Sequence, residues 1–119
     1  MPRVIRYEIA AANPGWLGQF YRSLVGWEFN QAGDQEYWDI YSGEGHGIDG
    51  AMIARPEGFP GVINTIDVPS VDDCCNRIEG LGGQVVMAKT PIPGIGYLAY
   101  CQDPEGNVFG IMEIDGSAG

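Results

Sequence analysis

The sequence predicts an α+β domain built from two β-α-β-β-β units in tandem. Three observations carry that prediction. Two helix starts, Asn13-Pro14 and Ser70, stand 57 positions apart. Three further pairs keep the same offset: Ile9 with Ile66, Leu24 with Leu81, and Gly26 with Gly83. A constant offset of this kind is the mark of an internal repeat. Third, the chain closes on the turn Asp103-Pro104-Glu105-Gly106-Asn107, which runs straight into the apolar stretch 108–113. Asp-Pro sets a turn, and Gly106 and Asn107 tolerate positive φ.

Each element follows from local chemistry. Residues 4–11 are rich in β-formers and read as a strand. Asn13 is an N-cap with Pro14 at the first helical position. Trp16, Leu17, Phe20, Tyr21, Leu24 and Val25 recur at helical spacing, and Gly26 ends the helix. Strands follow at 27–31 and 37–41, with a turn at 32–34. A glycine-rich loop, 43–50, leads to a strand at 51–54, and the Pro/Gly linker 56–60 closes the first half. The second half begins with a strand at 62–68. Ser70 caps a helix whose first turn carries Asp72 and Asp73, which complement its dipole. Val71, Cys74, Cys75 and Ile78 face the core, and 80–83 ends the helix. Strands are expected at 84–87, 97–101 and 108–114, with a loop at 91–94. The chain is thus expected to be one domain, 1–119, with halves 1–55 and 61–116.

Composition narrows the function. Sixteen acidic and six basic residues give a formal charge of −10. That charge repels phosphate backbones and anionic lipid, so neither nucleic acid nor membrane is an expected partner. No apolar run approaches the ~20 residues that span a bilayer. The N-terminal residues 1–6 are basic but lack the apolar core of a signal peptide, so a soluble, cytoplasmic protein is expected. Three cysteines, two of them adjacent, offer no disulfide framework and read as buried reduced thiols. Residues 45–50 match G-x-G-x-x-G, but a strand rather than a long helix follows, so the dinucleotide fingerprint is incomplete.

Two β-α-β-β-β units, the Phe20-Tyr21 pair in the first helix, the Gly26-Trp27 stop, Pro93-Gly94-Ile95-Gly96, and the closing Asp-Pro-Glu-Gly-Asn turn together resemble the vicinal oxygen chelate superfamily. Glyoxalase I, bleomycin-resistance proteins and extradiol dioxygenases belong to it; the nearest likeness is to its small glyoxalase-like branch. The resemblance implies a curved mixed sheet with a concave cavity and helices on the convex side. It also implies metal ligands on the first and last strands of each half. Carried over one by one, those positions fall on Arg6, its repeat partner Ile63, Gly110, and the stretch Met52, Ile53, Ala54. None of these side chains binds a hard or borderline divalent ion, and Arg has no lone pair to give. No metal and no other cofactor is therefore expected.

Strand alternation places Arg6 and Glu8 on one face and Ile5, Tyr7 and Ile9 on the other. Arg6 and Glu8 are then either a structural pair or a polar anchor, with Arg6 taking an anionic group and Glu8 an amine or hydroxyl. Trp38 and Tyr97 are candidates to stack on a flat ligand, against core packing for the remaining aromatics. His46, the only histidine, lies between glycines; it is an exposed loop residue or a general base. The leading reading is a metal-free small-molecule-binding protein. The alternatives are an isomerase- or lyase-type enzyme using Glu8 or His46, and an interaction or regulatory module without ligand. The superfamily's habits imply a homodimer.

Overall fold

A computed structural model describes the whole chain, Met1–Gly119. It divides into two compact units, Arg6–Ile63 and a second made of Asn64–Gly119 together with Met1–Ile5. The N-terminal residues join the second unit through the Asp67 amide, which donates to the Arg3 carbonyl at 2.8 Å.

The first half runs β1 (Val4–Ala11), α1 (Pro14–Val25), β2 (Glu28–Gln31), β3 (Tyr37–Tyr41) and β4 (Gly50–Ala54). Its strands lie in the order β2-β3-β4-β1, with β1 parallel to β4 and the other pairs antiparallel. The second half repeats the scheme: β5 (Val62–Asp67), α2 (Val71–Ile78), β6 (Gln84–Ile92), β7 (Gly96–Gln102) and β8 (Val108–Ile114). Its order is β5-β8-β7-β6, with only β5 and β8 parallel. The α+β class and the doubled β-α-β-β-β order are as the sequence predicts.

The helix signals work as read. Asn13 Oδ1 accepts from the Trp16 amide at 3.1 Å, Pro14 opens α1, and Gly26 ends it in the left-handed region at φ 77°. Ser70 Oγ accepts from the Asp73 amide at 3.1 Å. The second helix ends differently. It tightens into a 3₁₀ turn over Glu79–Leu81, and Gly82, not Gly83, takes the left-handed cap at φ 96°. Gly83 is glycine for another reason: a Cβ there would lie 2.4 Å from the Gln102 carbonyl oxygen.

One segment departs from expectation. The predicted loop at 91–94 is partly strand, because β6 continues through Pro91 to Ile92. β6 is the edge strand of its unit, and its register against β7 shifts twice between Val85 and Thr90. An edge strand with irregular pairing tolerates a proline, which cannot donate to a ladder.

Each unit has its own core between helix and sheet. In the first, Ala11, Ile40 and Met52 are buried, with Tyr7, Ile9, Leu17, Trp27, Phe29 and Trp38 packed on them. In the second, Val71, Ile78, Ala99, Cys101 and Ile111 form the centre, and Cys74 and Cys75 pack against it. All three thiols are free, and burial pushes the Cys101 thiol up to about 12. A thiol held protonated in this way is a packing group, not a nucleophile. No helix is long and apolar enough to cross a membrane.

Candidate functional site

Register decides which side chains share a face. Glu8 pairs with Ala51 across β1 and β4, and Ala51 pairs with Asp39 across β4 and β3. Partners in register point the same way, so Arg6, Glu8, Tyr37 and Asp39 share the sheet face away from α1. Tyr7, Ile9, Trp38, Ile40 and Met52 share the other and pack in the helix-side core.

Arg6 is clamped on that polar face. Its Nη1 donates to the Tyr37 hydroxyl at 2.6 Å and to Asp39 Oδ1 at 3.1 Å. The Arg6 side chain is half-buried and that of Asp39 is more open. Glu8 is fully buried. Burial pushes the Tyr37 hydroxyl above its ordinary range; the Glu8 charge adds to this and Arg6 opposes it. The arrangement is a guanidinium oriented by a neutral phenol and a carboxylate, beside a second carboxylate out of water. Such a group suits recognition of an anion or a polar ligand.

Of the sequence-derived candidates, Arg6 and Glu8 fall on this face. Trp38 does not: it packs in the helix-side cluster of the first unit. Tyr97 likewise packs on the helix-side core of the second, with Lys89 Nζ 4.5 Å from its ring centroid. His46 is exposed on the loop between β3 and β4. Tyr37 and Asp39 were not singled out from sequence. Their signal is the alternation of Tyr37-Trp38-Asp39-Ile40, in which the aspartate marks Tyr37 as its same-face neighbour.

The positions that the superfamily resemblance assigns to metal do not suit one. Arg6 is a cation without a free lone pair, and Ile63 is a buried aliphatic. In the second unit, Gly110 pairs with Thr65 on β5 and Tyr100 on β7. A Cβ at Gly110 would lie 3.1 Å from Thr65 Oγ1, 3.5 Å from Tyr100 Cε1 and 3.6 Å from Leu98 Cδ1. A side chain there would press on the Thr65 hydroxyl. No three His, Cys, Asp or Glu side chains converge anywhere in the chain. The donor set does not fit a divalent ion.

Residues 6–112 match the glyoxalase-like domain. The chain belongs to the glyoxalase-like domain family. Among curated proteins it is 29% identical over 134 residues to "Putative glyoxylase CFP32" of Mycobacterium bovis and of Mycobacterium tuberculosis. That match covers 97% of this chain and 50% of the relative, so the chain spans about half the length of the curated relatives it matches. Among solved structures, a glyoxalase/bleomycin resistance protein/dioxygenase superfamily member from Vibrio splendidus 12B01 superposes with a TM-score of 0.60 at 17% identity, covering 97% of this chain and 100% of that one. The Mn(II)-bound glyoxalase from Novosphingobium aromaticivorans gives a TM-score of 0.63 at 17% identity, covering 97% of this chain and 39% of that one. At such identities the structural likeness speaks for the glyoxalase-like fold alone. The vicinal oxygen chelate resemblance drawn from the closing turn and the repeat is upheld.

Proposed function

We propose that this glyoxalase-like chain binds a small molecule on the polar face of its first unit and does so without a metal ion. The observation that carries this reading is the clamp at Arg6. A family metal-ligand position holds a guanidinium aimed by Tyr37 and Asp39. Arg6 would take an anionic group of the ligand, and Glu8 an amine or hydroxyl. The protein would work in the cytoplasm as a homodimer.

Native mass spectrometry of protein purified from its host tests the reading. A bound small molecule without a stoichiometric divalent ion, lost on Arg6→Ala, is the expected result. A stoichiometric divalent ion that Glu8→Gln removes would overturn it. A second reading, proton transfer in an isomerase- or lyase-type reaction, is favoured by the full burial of Glu8, which keeps a carboxyl group out of water near Tyr37. A substrate screen separates the two: activity that survives both Glu8→Gln and His46→Ala excludes those residues as the base.

A further inference from the structure

The first unit has a second recess, on the helix side of β1 and away from the Arg6 clamp. The chain after β4 folds back along the end of β1. The Arg55 amide donates to the Ala11 carbonyl and the Ala10 amide to the Gly61 carbonyl, at 2.9 Å each. Between this turn and α1 runs an open groove of about 850 Å³, a size within the roughly 300–1,000 Å³ of small-molecule sites. Ile9, Ala11 and Val62 line it on one side, Trp16 and Phe20 on the other. Trp16 and Phe20 stand one helical turn apart and are 80% and 55% exposed. Phe20 meets Tyr21 edge-on, and Tyr21 stacks on Trp27, each pair 5.1 Å between ring centroids. The aromatic wall is thus braced by rings behind it.

We propose that this groove binds a monocarboxylate with an apolar body, its carboxylate on Arg55 and its body along Trp16 and Phe20. The charge of the groove makes the choice. Arg55 is the only charged residue that lines it, and no acidic side chain does. Acidic residues outnumber basic ones 16 to six in the chain, yet Arg55 makes no ion pair, unlike Arg6 and Lys89. Its guanidinium lies against Gly61 in the groove wall, where a Cβ would come within 2.7 Å of Nη2. A guanidinium takes a carboxylate through two parallel N–H bonds. The neighbouring polar groups are spent on local partners. Gln19 Nε2 donates to Ser23 Oγ at 3.2 Å, and Asn13 Oδ1 accepts from the Trp16 amide. A neutral ligand would leave Arg55 unmatched. A dianion would bring a second charge against apolar walls with no second cation to meet it. Arg6 and Glu8 point to the opposite face of β1, so the proposal is independent of the reading given to that face.

Calorimetric titration of the 119-residue chain with octanoate, 2-naphthoate and the neutral octanol tests the proposal. The expected result is one carboxylate bound per chain, held about tenfold or more tighter than octanol. Arg55→Gln should erase that preference, and Trp16→Ala should weaken every ligand that binds. Both side chains are exposed, so the fold should survive, and far-UV circular dichroism checks that it does. Carboxylate binding undiminished in Arg55→Gln, or no binding at millimolar concentration, would overturn the proposal. Binding lost in Arg6→Ala but kept in Arg55→Gln would place the carboxylate on the polar face and overturn it equally. Light scattering supplies the remaining outcome. A dimer that Trp16→Ala dissociates, with no carboxylate bound by the wild type, would give the groove to a second copy of the chain instead.

Discussion

α1 and α2 hold the same place in the repeat and each exposes an arginine in its last turn, yet only α1 exposes large apolar side chains as well. Both turn apolar residues inward, Leu17 on one and Val71 and Ile78 on the other. Outward, α2 shows Asp72, Asp73, Asn76 and Arg77, while α1 shows Trp16, Phe20 and Leu24. The sheets differ in the same manner. The face away from the helix is charged in the first unit, with Arg6, Glu8 and Asp39. In the second it is Thr65, Leu98, Tyr100 and Gly110. Since α2 shows that a polar outer face suffices for the scaffold, the exposed apolar residues of α1 are not required by the repeat itself.

The sharpest way to break this comparison is at the paired glycines. Gly26 and Gly83 occupy the same repeat position but are glycine for different reasons. A Cβ on Gly83 meets the Gln102 carbonyl oxygen at 2.4 Å and the Ile78 Cγ2 at 3.0 Å. Backbone cannot yield as a flexible side chain does, so Gly83→Ala should cost about 3 kcal/mol in denaturant unfolding. Equal costs at Gly83 and Gly26 would show that the two ends obey one rule.

Next in size is the Arg6 clamp. Arg6→Ala strands the buried Tyr37 hydroxyl, and a loss of about 2 kcal/mol is expected. Asp39 is 42% exposed in its side chain, so water screens its ion pair and Asp39→Asn should cost under about 1 kcal/mol. Calorimetric melting of both variants checks the ranking. A larger loss at Asp39 would move the clamp's anchor from the phenol to the carboxylate.

Much of the fold was legible because its signals are local. Caps, turn residues and helical spacing concern neighbours in sequence, and Asn13, Gly26 and Ser70 act as read. The site was half legible. Alternation along β1 puts Arg6 and Glu8 together with no further information. Their partners come from β3, and only the non-local registers Glu8 with Ala51 and Ala51 with Asp39 select Tyr37 over Trp38. A one-residue slip reverses that choice, and local sequence does not encode it. Register likewise puts Tyr97 of β7 on the helix side of its sheet. The extent of β6 was hidden because its pairing is irregular and Pro91 reads locally as a breaker.

Gly26 is the milder half of the glycine pair. It sits at φ 77° with open space where a Cβ would go. Only backbone strain opposes a side chain there, so Gly26→Ala should cost about 1 kcal/mol. Gly26→Asn should recover part of it, because Asn tolerates the left-handed region.

The smallest effect expected is a pH dependence at the closing turn. The Asp103 carboxylate accepts from the Glu105 amide at 2.9 Å, the Asn107 amide at 2.9 Å and Asn107 Nδ2 at 3.0 Å. In the first unit, Asp49 closes the corresponding β3–β4 loop through Ser42 alone, by its amide and hydroxyl at 2.9 Å each. The Asn107 side chain, and then its backbone amide, hold the Asp103 carboxyl below the ordinary aspartate range. A carboxyl lowered in the folded state binds its proton more readily when unfolded. Its contribution is therefore complete above the unfolded value, about pH 4, and fades as pH falls through the folded one. Wild type and Asp103→Asn should differ most near neutrality and converge in acid, as followed by unfolding at a series of pH values. Curves that stay parallel down the acid limb would mean that the turn is held by its backbone geometry and that the charge of Asp103 adds nothing to it.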